Sequence, residues 1–237
     1  MTFTKKHTFE QHDNEVGSYY KSSVKPFEKG KILENNIDVD ICVIGGGLTG
    51  VSSALHLVQK GYSVALVEAR TLGWGASGRN GGQLGIGMRK DQQFIEKKLG
   101  LDHAKELWKL GLEAVNQSKK LISQYKIDCN LQKGVLAAGY YKKNHEEFLN
   151  EIEHMVKYYD FYGYKFLNNE EIKNEIKTKI YNSGLLNTNS YHINPLKLLL
   201  GLAKQLTKLK VKIYEKSPII KILEELDGVK VFSKFGT

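Results

Sequence analysis

The hydrophobic pattern changes period several times along the 237 residues, and each change marks an element. Asp38-Val39-Asp40-Ile41-Cys42 leads into a continuous apolar run, which predicts a buried strand ending near Ile44. Val51, Ala54, Leu55 and Val58 then recur at helical spacing, and the stretch from Tyr62 to Val67 predicts a second strand. Residues 91–126 read as helices with an apolar stripe at Leu107, Leu110, Ala114, Leu121 and Tyr125, expected in the core. Strands are expected at 135–138, 164–167 and 183–188. Between the first two lies an amphipathic helix carrying Phe148, Ile152, Met155, Val156 and Tyr159. Asn194 and Pro195 suit the N-cap and first turn of a helix whose apolar face is Leu198, Leu199, Leu202 and Leu206. A further strand is expected at 211–214, and a strand pair at 221–223 and 229–232.

The connection between the first strand and helix is Gly45-Gly46-Gly47-Leu48-Thr49-Gly50. Placed between a strand and a helix, G-x-G-x-x-G is the dinucleotide fingerprint. Gly45 permits the tight turn, Gly47 leaves room for a pyrophosphate against the backbone, and Gly50 lets the helix pack close on the strand. The helix N-terminus favours the negative charge of the phosphates. Glu68 ends the second strand, 23 positions after Gly45, where a ribose-binding carboxylate belongs and where a 2′-phosphate would be repelled. Residues 41–58 carry no Asp, Glu, Lys or Arg, but three successive glycines, Thr49, two serines and His56 argue against a membrane helix.

Composition changes this picture little. The chain is 41% hydrophobic and 26% charged, as in a soluble globular protein with a sizeable core. Cys42 and Cys129 make no disulfide framework, and Cys42 is expected in the core. The N-terminal stretch to Asn14 is polar and carries no apolar signal segment. A cytoplasmic setting is expected. The net charge of +9 comes from lysines spread beside Glu and Asn on helices, a solvated pattern, so no nucleic-acid partner is expected. The three arginines are more informative. Arg70, Arg79 and Arg89 fall in one window of 20 residues, whereas 32 lysines are scattered. A planar guanidinium serves phosphate, carboxylate or ring stacking where a lysine does not.

After Glu68 comes a loop, Thr71-Leu72-Gly73-Trp74-Gly75-Ala76-Ser77-Gly78-Arg79-Asn80-Gly81-Gly82-Gln83, with five glycines in ten positions. It emerges at the carboxyl end of the predicted sheet, where open α/β folds bind ligands. The three stretches together, Gly45 to Gly50, Glu68-Ala69 and Gly73 to Gln83, resemble the FAD-dependent amine and amino-acid oxidoreductases, the superfamily of glycine oxidase and D-amino-acid oxidase. The Gly-Ala-Ser-Gly-Arg-Asn-Gly-Gly-Gln run, with Ser18-Tyr19-Tyr20 upstream, is most similar to the members that act on gamma-glutamylputrescine.

That resemblance implies an α/β fold: a Rossmann-like FAD-binding domain with an interleaved α+β substrate domain. It implies oxidation of a small amine or amino-acid derivative by hydride transfer to the flavin. It also implies roles residue by residue. Gly45, Gly47, Leu48, Thr49 and Gly50 hold the FAD pyrophosphate, and Glu68 holds the adenosine ribose. Ala69 and Arg70 lie beside the adenine, and Ala76 and Ser77 contact the pyrophosphate side. Gly81, Gly82 and Gln83 pass the ribityl chain and ring, and Arg79 and Asn80 brace the loop or touch phosphate. Ile219, after Ser217-Pro218, matches a position whose backbone meets the adenine.

The implied domains are an N-terminal arm at 1–37 with aromatic anchors at Tyr19, Tyr20 and Phe27, and the first part of the FAD-binding domain at 38–90. A partial substrate or cap domain follows at 91–190, and an incomplete return to the FAD-binding domain at 191–237. Gly236-Thr237 looks like the turn into a further strand, and the family's later segments are expected to be missing from this chain. No catalytic residue and no metal site is assigned. His192 reads as a histidine near a helix cap, without an acid or thiol partner by spacing. The tyrosines of the middle region suit either a substrate pocket or packed amphipathic surface. The alternative function is an inactive FAD-binding or merely folded fragment that acts only with a partner chain supplying the missing half.

Overall fold

A computed structural model describes residues 17–25, 27 and 30–237. The stretch read above for a signal segment lies outside them. In chain order the elements are α1 (Tyr19–Ser22), β1 (Ile41–Ile44), α2 (Leu48–Gln59), β2 (Val64–Val67), β3 (Gln83–Leu84), α3 (Gln92–Leu99), α4 (Leu101–Gln124), β4 (Gln132–Gly139) and α5 (Asn144–Tyr159). They continue with β5 (Tyr164–Leu167), α6 (Asn169–Ile176), β6 (Ser183–His192), α7 (Pro195–Lys208), β7 (Lys212–Tyr214), β8 (Ile219–Glu225) and β9 (Gly228–Ser233). The chain divides into two compact units. One holds the residues up to Gly81 with 125–129 and 194–237, and the other holds 82–124 and 130–193.

The first unit is a parallel α/β layer with sheet order β1-β2-β7. β1 and β2 pair in register from Ile41↔Val64 to Ile44↔Val67, and β2 pairs with β7 from Ala65↔Lys212 to Val67↔Tyr214. All four residues of β2 are buried, as expected of a strand covered on both faces and both edges. Val51, Ala54 and Leu55 of α2 and Leu199 and Leu206 of α7 are fully buried in the core of this unit. The cap at Asn194 forms as expected: its side chain accepts the Lys197 amide at 3.0 Å, with Pro195 in the first turn. β8 and β9 form an antiparallel hairpin with Leu223 opposite Lys230.

Three expectations for this unit are corrected. β1 is not buried. Among the described residues it pairs with β2 alone, so its other edge is open and Ile44 is 49% exposed. Cys42, on that strand, is half-buried rather than core, and the burial it has pushes its thiol pKa up. Among the described residues Tyr19 is no anchor: it is 79% exposed with its ring edge-on to Tyr20 at 5.6 Å, while Tyr20 and Phe27 are half-buried.

The second unit is an antiparallel sheet centred on β6. β4 runs along one side of β6, while β5 and β3 pair with its opposite ends. Thus Asn187 lies opposite both Val135 and Tyr164, and His192 opposite both Gln132 and Gln83. β6 runs four residues past the predicted end at Thr188. His192 therefore belongs to a strand, not to a cap, with Nδ1 3.2 Å from the Gly134 carbonyl oxygen.

The α4 stripe is also corrected. Its buried face is Ala104, Trp108, Gly111, Val115 and Ile122, with Leu121 shared, while Leu110 and Ala114 are exposed. Two stripes of helical period coexist on this helix. The wider one wins because Trp108 packs with Met155 and Phe161, and because Gly111 lets the helix approach Gly87. A Cβ on Gly111 would lie 2.8 Å from the Gly87 nitrogen. α6 was not expected, although Asn168 and Glu171 form a capping box that signals its start.

Candidate cofactor-binding site

In the first unit the site begins where β1 hands over to α2. Gly45 adopts φ 108°, a region that favours glycine, and its amide donates to the Val67 carbonyl at 2.8 Å. A Cβ on Gly50 would lie 1.9 Å from the Gly45 carbonyl oxygen, so the helix can start this close to the strand only with glycine there. Gly47 is the N-cap of α2. It makes no side-chain cap bond, and no acidic residue occupies the first turn. The first turn of the helix therefore contributes no anion of its own at its positive end.

Ser77 closes on this turn from the second glycine-rich loop. Its Oγ accepts the Leu48 amide at 3.0 Å. Glu68 does a comparable task from the end of β2: Oε2 accepts the Gly46 amide at 2.6 Å and Oε1 the Arg70 amide at 2.8 Å. Each carboxylate oxygen keeps a further acceptor site, so this bracing leaves capacity for a ribose hydroxyl.

The loop after β2 is held from several directions. A single 3-10 turn spans Ala76–Gly78, and the Asn80 side chain donates to the carbonyls of Ala76 at 3.2 Å and Ser77 at 3.1 Å. The guanidinium carbons of Arg70 and Arg79 lie 4.0 and 4.6 Å from the Trp74 ring centroid. Glu215 is buried; its Oε1 accepts the Leu72 amide at 2.7 Å and its Oε2 the Gly30 amide at 2.9 Å. Next to it the chain lies along the end of β2. Lys216 donates its amide to the Arg70 carbonyl at 2.7 Å, and Ser217 to the Glu68 carbonyl at 3.0 Å. Ile219 follows two residues later, half-buried at the start of β8.

Most of the expected residues lie in this unit: Gly45, Gly47, Leu48, Thr49, Gly50, Glu68, Ala69, Arg70, Ala76, Ser77, Arg79, Asn80 and Ile219. Gly81 ends the first stretch of the unit, exposed, with open space where a Cβ would be. Gly82 and Gln83 belong to the second unit, where the Gly82 carbonyl accepts the Ile193 amide at 2.8 Å and Gln83 pairs with His192. The arginine window separates in the same way. Arg70 and Arg79 share Trp74, while Arg89 lies in the second unit.

Sequence reasoning missed Trp74 and Glu215. Trp74 was legible as an aromatic between two arginines, but Glu215 had no signal in its spacing. A cavity of about 440 Å³ also opens beside this loop, lined by Phe27, Leu72, Trp74, Arg79 and Leu196 but not by the turn at 45–50. The residues fit a dinucleotide on three counts: an acid-free helix N-terminus, glycines at the positions of close approach, and a carboxylate at the end of β2.

The chain belongs to the FAD dependent oxidoreductase family, whose sequence profile matches residues 40–237. Among curated proteins it is 35% identical over 210 residues to the gamma-glutamylputrescine oxidoreductase of Escherichia coli (strain K12), covering 87% of this chain and 48% of that protein. It is 32% identical over 216 residues to the probable oxidoreductase OrdL of Haemophilus influenzae, covering 91% of this chain and 50% of that one. The chain therefore spans about half the length of the curated relatives it matches. In fold it is similar to the crystal structure of glycine oxidase from Bacillus cereus, with a TM-score of 0.64 at 19% identity over 83% of this chain and 52% of that one. It is also similar to L-alpha-glycerophosphate oxidase from Mycoplasma pneumoniae with FAD bound, with a TM-score of 0.62 at 21% identity over 85% of this chain and 50% of that one. The fold is thus the mixed α/β arrangement expected, and the family's cofactor is FAD. No described helix is long and apolar enough to cross a membrane.

Proposed function

We propose that this chain is the FAD-binding portion of an oxidoreductase acting on a small amine or amino-acid derivative of the gamma-glutamylputrescine kind. The observation that carries the reading is the lock between the two glycine-rich turns, in which Ser77 accepts the Leu48 amide at the acid-free start of α2 while Glu68 braces Gly46. FAD, when bound, supplies the hydride acceptor. The chain's own residues bind and orient. The α2 N-terminus and the turn at 45–50 receive the diphosphate, Glu68 accepts from the ribose, and the backbone at Ile219 meets the adenine. The substrate class is supported by 35% identity to a protein named for gamma-glutamylputrescine.

A second reading is favoured by the open edge of β1 and the exposure of Ile44: a chain that binds FAD, or merely folds, and acts only with a partner chain. Flavin titration followed by absorbance and by quenching of flavin fluorescence tests the shared premise. Saturable binding lost in Gly47→Ala supports it, and absence of binding leaves only the merely folded alternative. Anaerobic mixing of the flavin-loaded chain with gamma-glutamylputrescine separates the two readings. Bleaching of the flavin band supports substrate oxidation by this chain, and an unchanged band supports the partner-dependent reading.

A further inference from the structure

We propose that one end of the second unit's sheet is a docking surface for an anionic lipid surface. The patch is built from two turns at the same end of the β4–β6 pair. The first, Tyr140-Tyr141-Lys142-Lys143, leaves β4, and the second, Ile176-Lys177-Thr178-Lys179-Ile180, leads from α6 toward β6. They are held side by side by Asn182, whose amide donates to the Gly139 carbonyl at 2.8 Å and whose side chain donates to the Tyr140 carbonyl at 2.5 Å. The pairing of Gly139 with Ser183 fixes both turns to one sheet end.

The chemistry of the patch is unusual for a solvated surface. Tyr140 is 57% exposed, Tyr141 62% and Ile180 59%, and the two tyrosine rings meet edge to face at 5.1 Å. Four lysines, Lys142, Lys143, Lys177 and Lys179, are exposed around them; neither turn contains an acid, and the flanking acids are Glu146 and Glu147 at the start of α5 and Glu175 before Ile176. Of the four, Lys143 reaches the Glu147 carboxylate at 3.6 Å on the α5 side. Paired tyrosines stabilise each other's placement while leaving their apolar rings facing solvent. Amphipathic rings of this kind settle at the headgroup level of a bilayer, and lysines extend their charge to the anionic headgroups while their stems lie on apolar surface. Charge complementarity therefore selects a surface with fixed negative charge, and the aromatic and aliphatic tips select one with an apolar layer beneath it. A nucleic-acid strand would meet the charge and could stack on the tyrosine rings, but it offers no apolar layer to the aliphatic tip of Ile180.

Co-sedimentation of the purified chain with vesicles tests this. Vesicles of phosphatidylcholine with phosphatidylglycerol are compared with vesicles of phosphatidylcholine alone, at low salt and at physiological salt. Binding to the anionic vesicles that weakens with salt is expected. The double variant K142E/K179E should lower partitioning by at least about 30-fold, since each lysine near such a surface is worth roughly fivefold. Y140S/Y141S should weaken binding with little change in salt dependence. A matched charge change away from the patch, K208E/K210E, should leave most of the binding intact. Equal loss in that control would assign the effect to net charge and overturn the proposal. Binding to neither vesicle, or equally to both, would overturn it too. So would a concentration-dependent dimer abolished by the same patch variants, which would make the occupant a second copy of this chain. Circular dichroism melts of each variant confirm that the compared proteins are folded.

Discussion

The Ser77 hydroxyl accepts the Leu48 amide at 3.0 Å, and the same oxygen lies 2.9 Å from where a Cβ on Gly47 would stand. A methyl at position 47 therefore meets the protein before it meets any ligand. It pushes Ser77 away and frees the first amide of α2 from its partner. Gly47→Ala is expected to abolish flavin binding in a titration. Ser77→Ala keeps the glycine and loses only one neutral hydrogen bond, about 1 kcal/mol. It should weaken FAD binding by about fivefold to tenfold. Equal effects of the two variants would show that steric displacement is unimportant.

Glu215 ties the loop after β2 to the arm. Replacing it by Ala leaves the amides of Leu72 and Gly30 without an acceptor, in a place where Glu215 itself is only 6% exposed. The expected loss is about 3 kcal/mol in urea unfolding, because bonds to a charged acceptor are stronger than neutral ones. Glu215→Gln should cost less, since its one carbonyl oxygen can still accept one of the two amides.

Arg79→Lys tests the stacked pair on Trp74. An ammonium cannot lie flat on an indole as a guanidinium does, so a loss on the order of 0.5–1 kcal/mol of loop stability is expected. It should appear as changed Trp74 fluorescence and as weaker FAD binding. Lys→Ala substitutions in the helices at 97–120 should leave both unchanged. Equal, negligible effects would make Arg79 an ordinary solvated residue.

Glu151 and Tyr164, both in the second unit, give stability a pH dependence of the same sign. Burial raises the Glu151 pKa above 4.5, helped by the nearby carboxylates of Asp91 and Glu96 and opposed by His154. Burial also pushes the Tyr164 phenol up from 10.0 to about 12, with Glu151 adding to it and the Asn187 hydrogen bond opposing it. In both, the folded state holds its proton more tightly than the unfolded chain. The stability they contribute is complete below the unfolded pKa and is lost as pH rises through the folded one. Glu151→Gln should therefore flatten the decline between pH 4.5 and the raised pKa, and Tyr164→Phe the decline between pH 10 and 12. The Tyr164 window is worth roughly 2–3 kcal/mol. Denaturant midpoints across pH measure both.

The edge of β1 that is unpaired among the described residues predicts self-association. Unpaired strand groups beside a half-exposed isoleucine are a template for another strand, and a charge there blunts it. Ile44→Lys should shift the chain toward monomer in light scattering after size exclusion. No shift would mean that the edge recruits nothing.

What the sequence by itself determined is what depends on local spacing. The period of its apolar residues placed the βαβ opening, β5, α7 and the terminal hairpin. The glycine spacing placed the turn at 45–50, because φ at Gly45 and the approach at Gly50 are backbone requirements that only one residue type meets. The family followed from the same glycines. The tertiary structure decided what depends on neighbours distant in the chain. It chose the Trp108 face of α4 over the Leu110 face, because packing against Met155 and Phe161 is not encoded in the helix's own period. It left β1 half-exposed, because a strand's burial is set by what covers and pairs with it rather than by its own apolarity. It set His192 in a strand, and it gave Ser77 and Glu215 their amide partners across 29 and 143 positions of chain, contacts that only the folded backbone creates.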